Sequence, residues 1–302
     1  MPSRFCRSLT ALFIVCALVL SGCGKAPEPE KRDQPPTDGL TLLASIGPVA
    51  MIARAVAGDN VVVRQLIANA DPHHYAPKVT DRMAMESAQL VVWMGPEMET
   101  VLARQMALVP AARQLRLLQD KTGYEFEGAD PADPHLWLRP RNAAVMAAQI
   151  ASRLVVLDAV NAEGYQQRAR DFSRAMANLQ KVQDRALWAY KEVPIVTTHQ
   201  AYSQFFGPAG VQVKSLSGAA SHQHGARTML EQHRRGQAGA TRGCLFGEVP
   251  ANERDRQTAE HLNLGYQALD PLGTRMPANA RYPQLMEQLL ADARKCLGEI
   301  PD

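Results

Sequence analysis

Residues 161–191 read NAEGYQQRARDFSRAMANLQKVQDRALWAYK, with Tyr165, Ala169, Phe172, Met176, Leu179, Val182, Ala186 and Tyr190 recurring at spacings of three and four and no interior proline. That period places one apolar stripe on a 3.6-residue helix, so the spacing predicts a single long amphipathic helix. Its Met and aromatic side chains are a packing face, not a chemical one. On both sides of it the pattern changes.

Before this helix, the runs 41–45, 61–67, 90–94 and 114–118 are short, apolar and rich in β-branched residues, and read as strands. Helical spacing separates them at 48–57, closed by Gly58, at 80–89 with Thr80 as N-cap, and at 98–108. A further helix carries Met146, Ile150, Leu154 and Leu157, with Asn142 as its cap. After the long helix the alternation resumes with strands at 194–198, 211–216, 244–248 and 266–269 and a last helix at 282–296. Alternation of this kind predicts an α/β fold with mostly parallel sheets. The expected organisation is two similar α/β lobes, 40–160 and 192–302, joined by the 161–191 helix.

The N-terminal end carries targeting information. Arg4 and Arg7 precede an uncharged apolar run from 9 to 20, and small residues follow, as in a secretory signal covering 1–22. Leu20-Ser21-Gly22-Cys23 resembles a bacterial lipobox, which makes Cys23 the lipidated first residue of the mature chain. Residues 24–39, GKAPEPEKRDQPPTDG, hold four prolines and no large apolar side chain, so 23–39 is expected to be a lipid-anchored, semi-rigid tether.

These boundaries reinterpret the composition. The 302 residues carry 33 Lys+Arg against 30 Asp+Glu, a formal charge of +3, with 46% hydrophobic residues. Such values exclude a disordered chain, and without a basic stripe they argue against nucleic-acid binding. Loss of Arg4 and Arg7 leaves 31 basic against 30 acidic side chains, a net charge of +1. Of the five cysteines, Cys6 and Cys16 leave with the signal and Cys23 is acylated. Cys244 and Cys296 remain, and in an oxidising compartment an isolated pair is most simply a disulfide.

Candidate chemistry lies in the histidines, because imidazole is the commonest protein metal ligand. His73 sits in Ala70-Asp71-Pro72-His73-His74-Tyr75, His135 in Asp133-Pro134-His135-Leu136-Trp137, and His199 in Thr198-His199-Gln200. Asp270 opens Asp270-Pro271-Leu272-Gly273. Successive members of this set are 62, 64 and 71 residues apart, so they form no local ligand motif. Three of them follow predicted strands, where ligands of α/β sheets collect, and two come from each lobe. A cleft between the lobes is the place where they would meet.

Together with Gly58-Asp59, the segments DPHHYAPKVTD (71–81), LVVWMGPEME (90–99), DPHLWLRPRNA (133–143), THQAYSQFF (198–206), CLFGE (244–248) and LDPLG (269–273) resemble the metal-specific solute-binding proteins of bacterial ABC importers, in particular the zinc-uptake branch. The resemblance runs from about residue 40 to the C-terminus. It implies two α/β lobes bridged by one long helix, with His73, His135, His199 and Asp270 as metal ligands and His74 outside the set. It also implies a receptor, not an enzyme, that is a monomer and works with an ABC permease and its ATPase subunit at the outer face of a membrane.

Three imidazoles and one carboxylate form a tetrahedral N/O set suited to Zn²⁺, with a net charge of +1. In the manganese branch the third position is usually a carboxylate, so His199 favours zinc, with Mn²⁺ as the alternative. Asp71, Asp133 and Glu248 are candidates to support the ligands or are solvated loop carboxylates. Zinc-uptake members often carry a histidine-rich loop before the second ligand, yet 120–134 contains no histidine. His222 and His224 form the one remaining dense cluster, either a secondary metal site or a polar loop, and His233 and His261 read as surface residues. From other classes, a secreted zinc hydrolase would need an open coordination position and a general base, and a surface adhesin would need a marked binding face.

Overall fold

A computed structural model of the chain describes residues 39–127, 133–217, 228, 230–231 and 243–300. The expected signal, Cys23, the tether up to residue 38, and His222, His224 and His233 lie outside the described residues.

Two four-stranded parallel sheets form the framework. The first contains β1 (Leu40–Ala44), β2 (Val61–Gln65), β3 (Leu90–Trp93) and β4 (Gln114–Arg116) in the order β2-β1-β3-β4. The second contains β5 (Ile195–Thr197), β6 (Val213–Ser215), β7 (Cys244–Glu248) and β8 (Gly265–Leu269) in the order β6-β5-β7-β8. Each sheet therefore starts in its interior, steps once to one side, and then crosses to the other. Between the first strand and the third the connection reverses direction, which opens a crevice at the carboxyl ends of the strands. The α/β class and the two-lobed arrangement expected from the alternation are both present.

Helices α1 (Gly47–Ala57), α2 (Val79–Ser87), α3 (Ala103–Met106) and α4 (Pro140–Leu157) belong to the first half. The long helix α5 runs from Ala162 to Trp188, close to the 161–191 expected. The second half adds α6 (Ser203–Phe206), α7 (Glu253–His261) and α8 (Tyr282–Leu297). Among the described residues no helix is long and apolar enough to cross a membrane.

Three local expectations are corrected. Thr80 lies inside α2, whose N-cap is Lys78, and the Asp81 carboxylate accepts the Lys78 N–H at 2.6 Å. Asn142 also lies inside its helix, because Pro140 starts α4 one turn earlier; its side chain instead accepts from Glu125 N and donates to Glu125 O. The helix expected at 98–108 shrinks to the single turn α3, as Glu99 folds its carboxylate back onto the N–H groups of Met94 and Gly95.

The buried face of α5 is Tyr165, Ala169, Phe172, Met176, Gln180, Gln183 and Leu187. It departs from the apolar stripe after Met176, where the helix geometry continues by four residues to Gln180 while the nearest apolar side chain stands at Leu179. Gln183 makes its place tolerable by donating to Phe205 O at 2.9 Å, and Val182 is left exposed. One continuous apolar cluster extends from Leu42 and Ile52 of the first sheet and α1, through Tyr165 and Phe172 of α5, to Phe246 and Leu285 of the second half.

Where the halves meet, the approach is tight. A Cβ on Gly47 would lie 2.4 Å from Leu272 O, so only glycine lets the start of α1 abut the loop after β8. Cys244 and Cys296 form the expected disulfide, which ties β7 to the last turn of α8.

Candidate metal centre

A carboxylate stands beside each of the three histidines, on the backbone N–H of His73 and on the ring Nδ1 of His135 and His199. After β2, the chain stays registered with the sheet through Ile67 and then turns at Asp71. One Asp71 oxygen accepts the His73 backbone N–H at 2.9 Å and the other faces His74 Nδ1 at 2.7 Å. This turn sends the two adjacent imidazoles in different directions: His73 goes inward and the His74 side chain stays 84% exposed.

His135 is almost fully buried, and a single oxygen of Asp133 contacts both its backbone N (3.0 Å) and its Nδ1 (2.8 Å). With Nδ1 engaged, the ring is fixed with Nε2 as its free nitrogen. His199 follows β5, and its Nδ1 lies 3.0 Å from Glu248 Oε1 at the end of the adjacent strand β7. The Tyr202 hydroxyl donates to the same Glu248 oxygen at 3.3 Å.

These three side chains converge. One nitrogen from each of His73, His135 and His199 lies within 4.8 Å of the others, and His73 Nε2 and His135 Nε2 are 3.3 Å apart. Ring centroids are separated by 4.8 to 5.4 Å with steep interplanar angles, as around a common centre. The cluster opens into a cleft of about 480 Å³ whose walls include Asp71, Met98, Trp137, Glu248 and Arg275, drawn from both halves.

Burial and the charges of His135 and His199 push the His73 imidazole down to about 4, so it is a neutral donor across the physiological range. Burial also pushes His199 down, but the hydrogen bond and charge of Glu248, with Asp71 and Asp133 behind it, outweigh burial and leave its pKa raised. Asp71 is held low because the hydrogen bonds from His74 and the His73 backbone outweigh its own desolvation. Asp71, Asp133 and Glu248 all contact the segments that carry the three histidines.

Asp270 does not join the cluster of nitrogens. It is buried directly after β8, and its carboxylate is turned into its own loop. Oδ1 accepts from Thr274 N (2.9 Å) and Thr274 Oγ1 (3.1 Å), and Oδ2 accepts from Arg275 N (2.8 Å). Gly273, at φ 69°, allows the loop to curl back in this way.

Sequence reasoning did not find Trp137, Tyr202, Thr274 or Arg275. Trp137 donates from Nε1 to Pro271 O at 3.0 Å and accepts at its own carbonyl from Tyr282 OH at 2.6 Å, fastening the His135 segment to the Asp270 segment. Only the position of Trp137 two residues after His135 could have drawn attention to it. His261 is exposed, as expected.

The donor set can be compared with known proteins. A high-affinity zinc uptake system protein ZnuA from Brucella suis is 24% identical, with 97% of this chain and all of that protein covered. The manganese ABC transporter substrate-binding lipoprotein PsaA of Streptococcus pneumoniae is 26% identical over 83% of this chain and 84% of its own. A crystal structure of ZnuA superposes with a TM-score of 0.69 at 21% identity, covering 86% of this chain and 99% of that one, and so shares the fold. The model of the family described as zinc-uptake complex component A, periplasmic, matches residues 42–296, and the chain belongs to that family.

Proposed function

We propose that this chain is the extracytoplasmic solute-binding component of an ABC metal importer, which captures Zn²⁺ in the cleft and delivers it to a membrane permease driven by an ATPase subunit. His73, His135 and His199 act as ligands through Nε2. The observation that carries this reading is the 3.3 Å between the Nε2 atoms of His73 and His135. Zn–N bonds of about 2.0–2.1 Å at a tetrahedral angle place two ligand nitrogens about 3.3 Å apart. Three imidazoles also suit zinc better than the harder manganese ion, which favours oxygen donors.

Asp270 supplies the fourth ligand by turning its carboxylate out of the loop that holds it. The rest of the chain serves the same task. Residues 1–22 direct export, Cys23 carries the lipid, and 23–39 is the tether. The lobes 40–160 and 192–302, joined by 161–191, enclose the metal, and the protein works as a monomer.

Metal analysis of the purified mature protein, followed by competition between Zn²⁺ and Mn²⁺ on metal-stripped protein, tests the proposal. Stoichiometric zinc that manganese does not displace is the expected result. Preferred manganese would overturn the argument from His199, and absence of bound metal would overturn the function.

A further inference from the structure

The donors around Asp270 extend to a second carboxylate. Arg275 Nε lies 3.8 Å from Asp270 Oδ2, and the Nη2 of the same guanidinium lies 3.5 Å from Asp292 Oδ2 on α8. Asp292 is also contacted by Lys295 Nζ at 2.6 Å and Gln288 Nε2 at 3.1 Å. Both carboxylates are buried, whereas the Arg275 side chain is 56% exposed and reaches the wall of the cleft. One cation is thus shared between the proposed fourth ligand and a fixed anion behind it.

Such sharing has a chemical consequence. A carboxylate whose oxygens already accept two backbone N–H groups and a hydroxyl, with a guanidinium beside them, is a poor metal ligand until it leaves them. Metal and Arg275 compete for the same oxygens. Asp292 gives the guanidinium a second partner, so that Asp270 can leave without stranding an unpaired charge.

We propose that Arg275 is a counter-cation that competes with bound zinc for Asp270, with Asp292 as its alternative partner, and that this exchange sets how readily the metal is released. The inference rests on the reading of Asp270 as fourth ligand. A receptor must give up its cargo, and a built-in rival cation shortens residence without weakening the three imidazoles. It also adds positive charge beside a site that would carry +1.

The variant Arg275→Gln removes the cation and keeps a hydrogen-bonding side chain. Zinc affinity and dissociation rate are measured by chelator competition on the mature protein, with thermal denaturation as the control for folding. The expected result is binding tighter by roughly two- to fivefold, expressed as slower dissociation, since a partly exposed charge pair is worth about that much. The gain disappears when Asp270→Asn is present in the same chain. Asp292→Asn, which leaves the guanidinium to Asp270 alone, moves affinity the other way by a similar factor.

Unchanged or weaker zinc binding in a folded Arg275→Gln protein would overturn the proposal. So would a gain that persists beside Asp270→Asn, because the cation would then act on the site at large and not through that carboxylate. If Arg275→Gln does not fold, Asp292→Asn alone decides by its sign. Failure of the underlying reading looks different: Asp270→Asn alone would then leave zinc affinity at the wild-type value.

Discussion

His73 and His135, 62 residues apart in the chain, face each other through Nε2 at 3.3 Å, and His199 from the other half completes the triangle. Each of the three converging nitrogens comes from a different segment of the chain. On the proposed assignment, replacing any one of the three with alanine removes one ligand and leaves the others in place. Because loss of a mere supporting partner typically lowers metal affinity 10- to 100-fold, each alanine variant is expected to lose more than about 100-fold. Chelator competition measures this, and an unchanged melting temperature of the metal-free protein would show that the fold is intact.

Glu248 has two effects on His199 that separate in a pH titration. It orients the ring through Nδ1 and raises the pKa of the imidazole above its ordinary value. Protons compete with zinc for Nε2, so a raised pKa brings that competition in at higher pH. For Glu248→Gln the plateau affinity at alkaline pH is expected to fall about 10- to 100-fold through loss of orientation. The pH at which affinity reaches half its plateau should move downward. His73, already pushed down to about 4, contributes nothing to that midpoint. A midpoint that stays put or moves upward would contradict the role given to Glu248.

Much of this arrangement was legible in the sequence, and what was not has a common cause. Strands and the long helix announce themselves by period; His73 and His199 follow from strand ends, and all three histidines from the resemblance around DPHHY, DPHLW and THQAY. Which of His73 and His74 points inward was visible only through that resemblance, because the deciding bonds run from Asp71 to two successive residues. The inward register of Gln180 and Gln183 escaped because the rule that apolar residues lie inside does not identify a glutamine whose amide finds a partner, the Asp184 carboxylate for Gln180 and Phe205 O for Gln183. The engagement of Asp270 by Thr274 and Arg275 escaped for the same reason. It depends on a side chain meeting backbone amides, which leaves no periodic trace.

Glu99 gives the fold its own pH dependence. It is fully buried at the carboxyl ends of β1 and β3, accepting from Ser45 Oγ at 2.5 Å and from two backbone N–H groups. Burial nevertheless raises its pKa from 4.5 to about 7. The folded protein therefore binds more protons at this group than the unfolded chain does. Its stabilising contribution is full below about pH 4.5 and is lost as pH rises to about 7, on the order of 3 kcal/mol over that interval. Urea unfolding from pH 5 to 8 should show this decline in the wild type and a flatter profile in Glu99→Gln. Parallel profiles would contradict it.

The Cys244–Cys296 bridge joins residues 52 apart in sequence. In the chain-entropy model a loop of that length contributes on the order of 4 kcal/mol. Reduction, or paired replacement by serine, is expected to lower the denaturation midpoint markedly. Zinc binding at low temperature should persist, since neither cysteine touches the histidines' supporting carboxylates. Loss of zinc binding in a protein that still melts cooperatively would show instead that the bridge positions β7 and, through it, Glu248.

Trp137 links the two halves of the proposed ligand set. Fully buried, it donates to Pro271 O beside Asp270, while its own carbonyl accepts from Tyr282 OH of α8, and it follows His135 by two residues. With Gly47 pressed against Leu272 on the same seam, the backbone around Asp270 is fixed relative to His135. Release of zinc must then come from side-chain movement of Asp270 and Arg275 and from loop movement near His73, because wide separation of the halves would break these bonds and divide a continuous core. Trp137→Phe keeps the apolar contact but leaves Pro271 O without its donor, which is expected to cost about 1–3 kcal/mol of stability. If the seam fixes ligand geometry, the same variant should weaken zinc binding and speed its dissociation at temperatures where the protein is fully folded. A destabilised protein with wild-type zinc kinetics would show that the seam only supports the fold, and would return the halves to the role of moving parts.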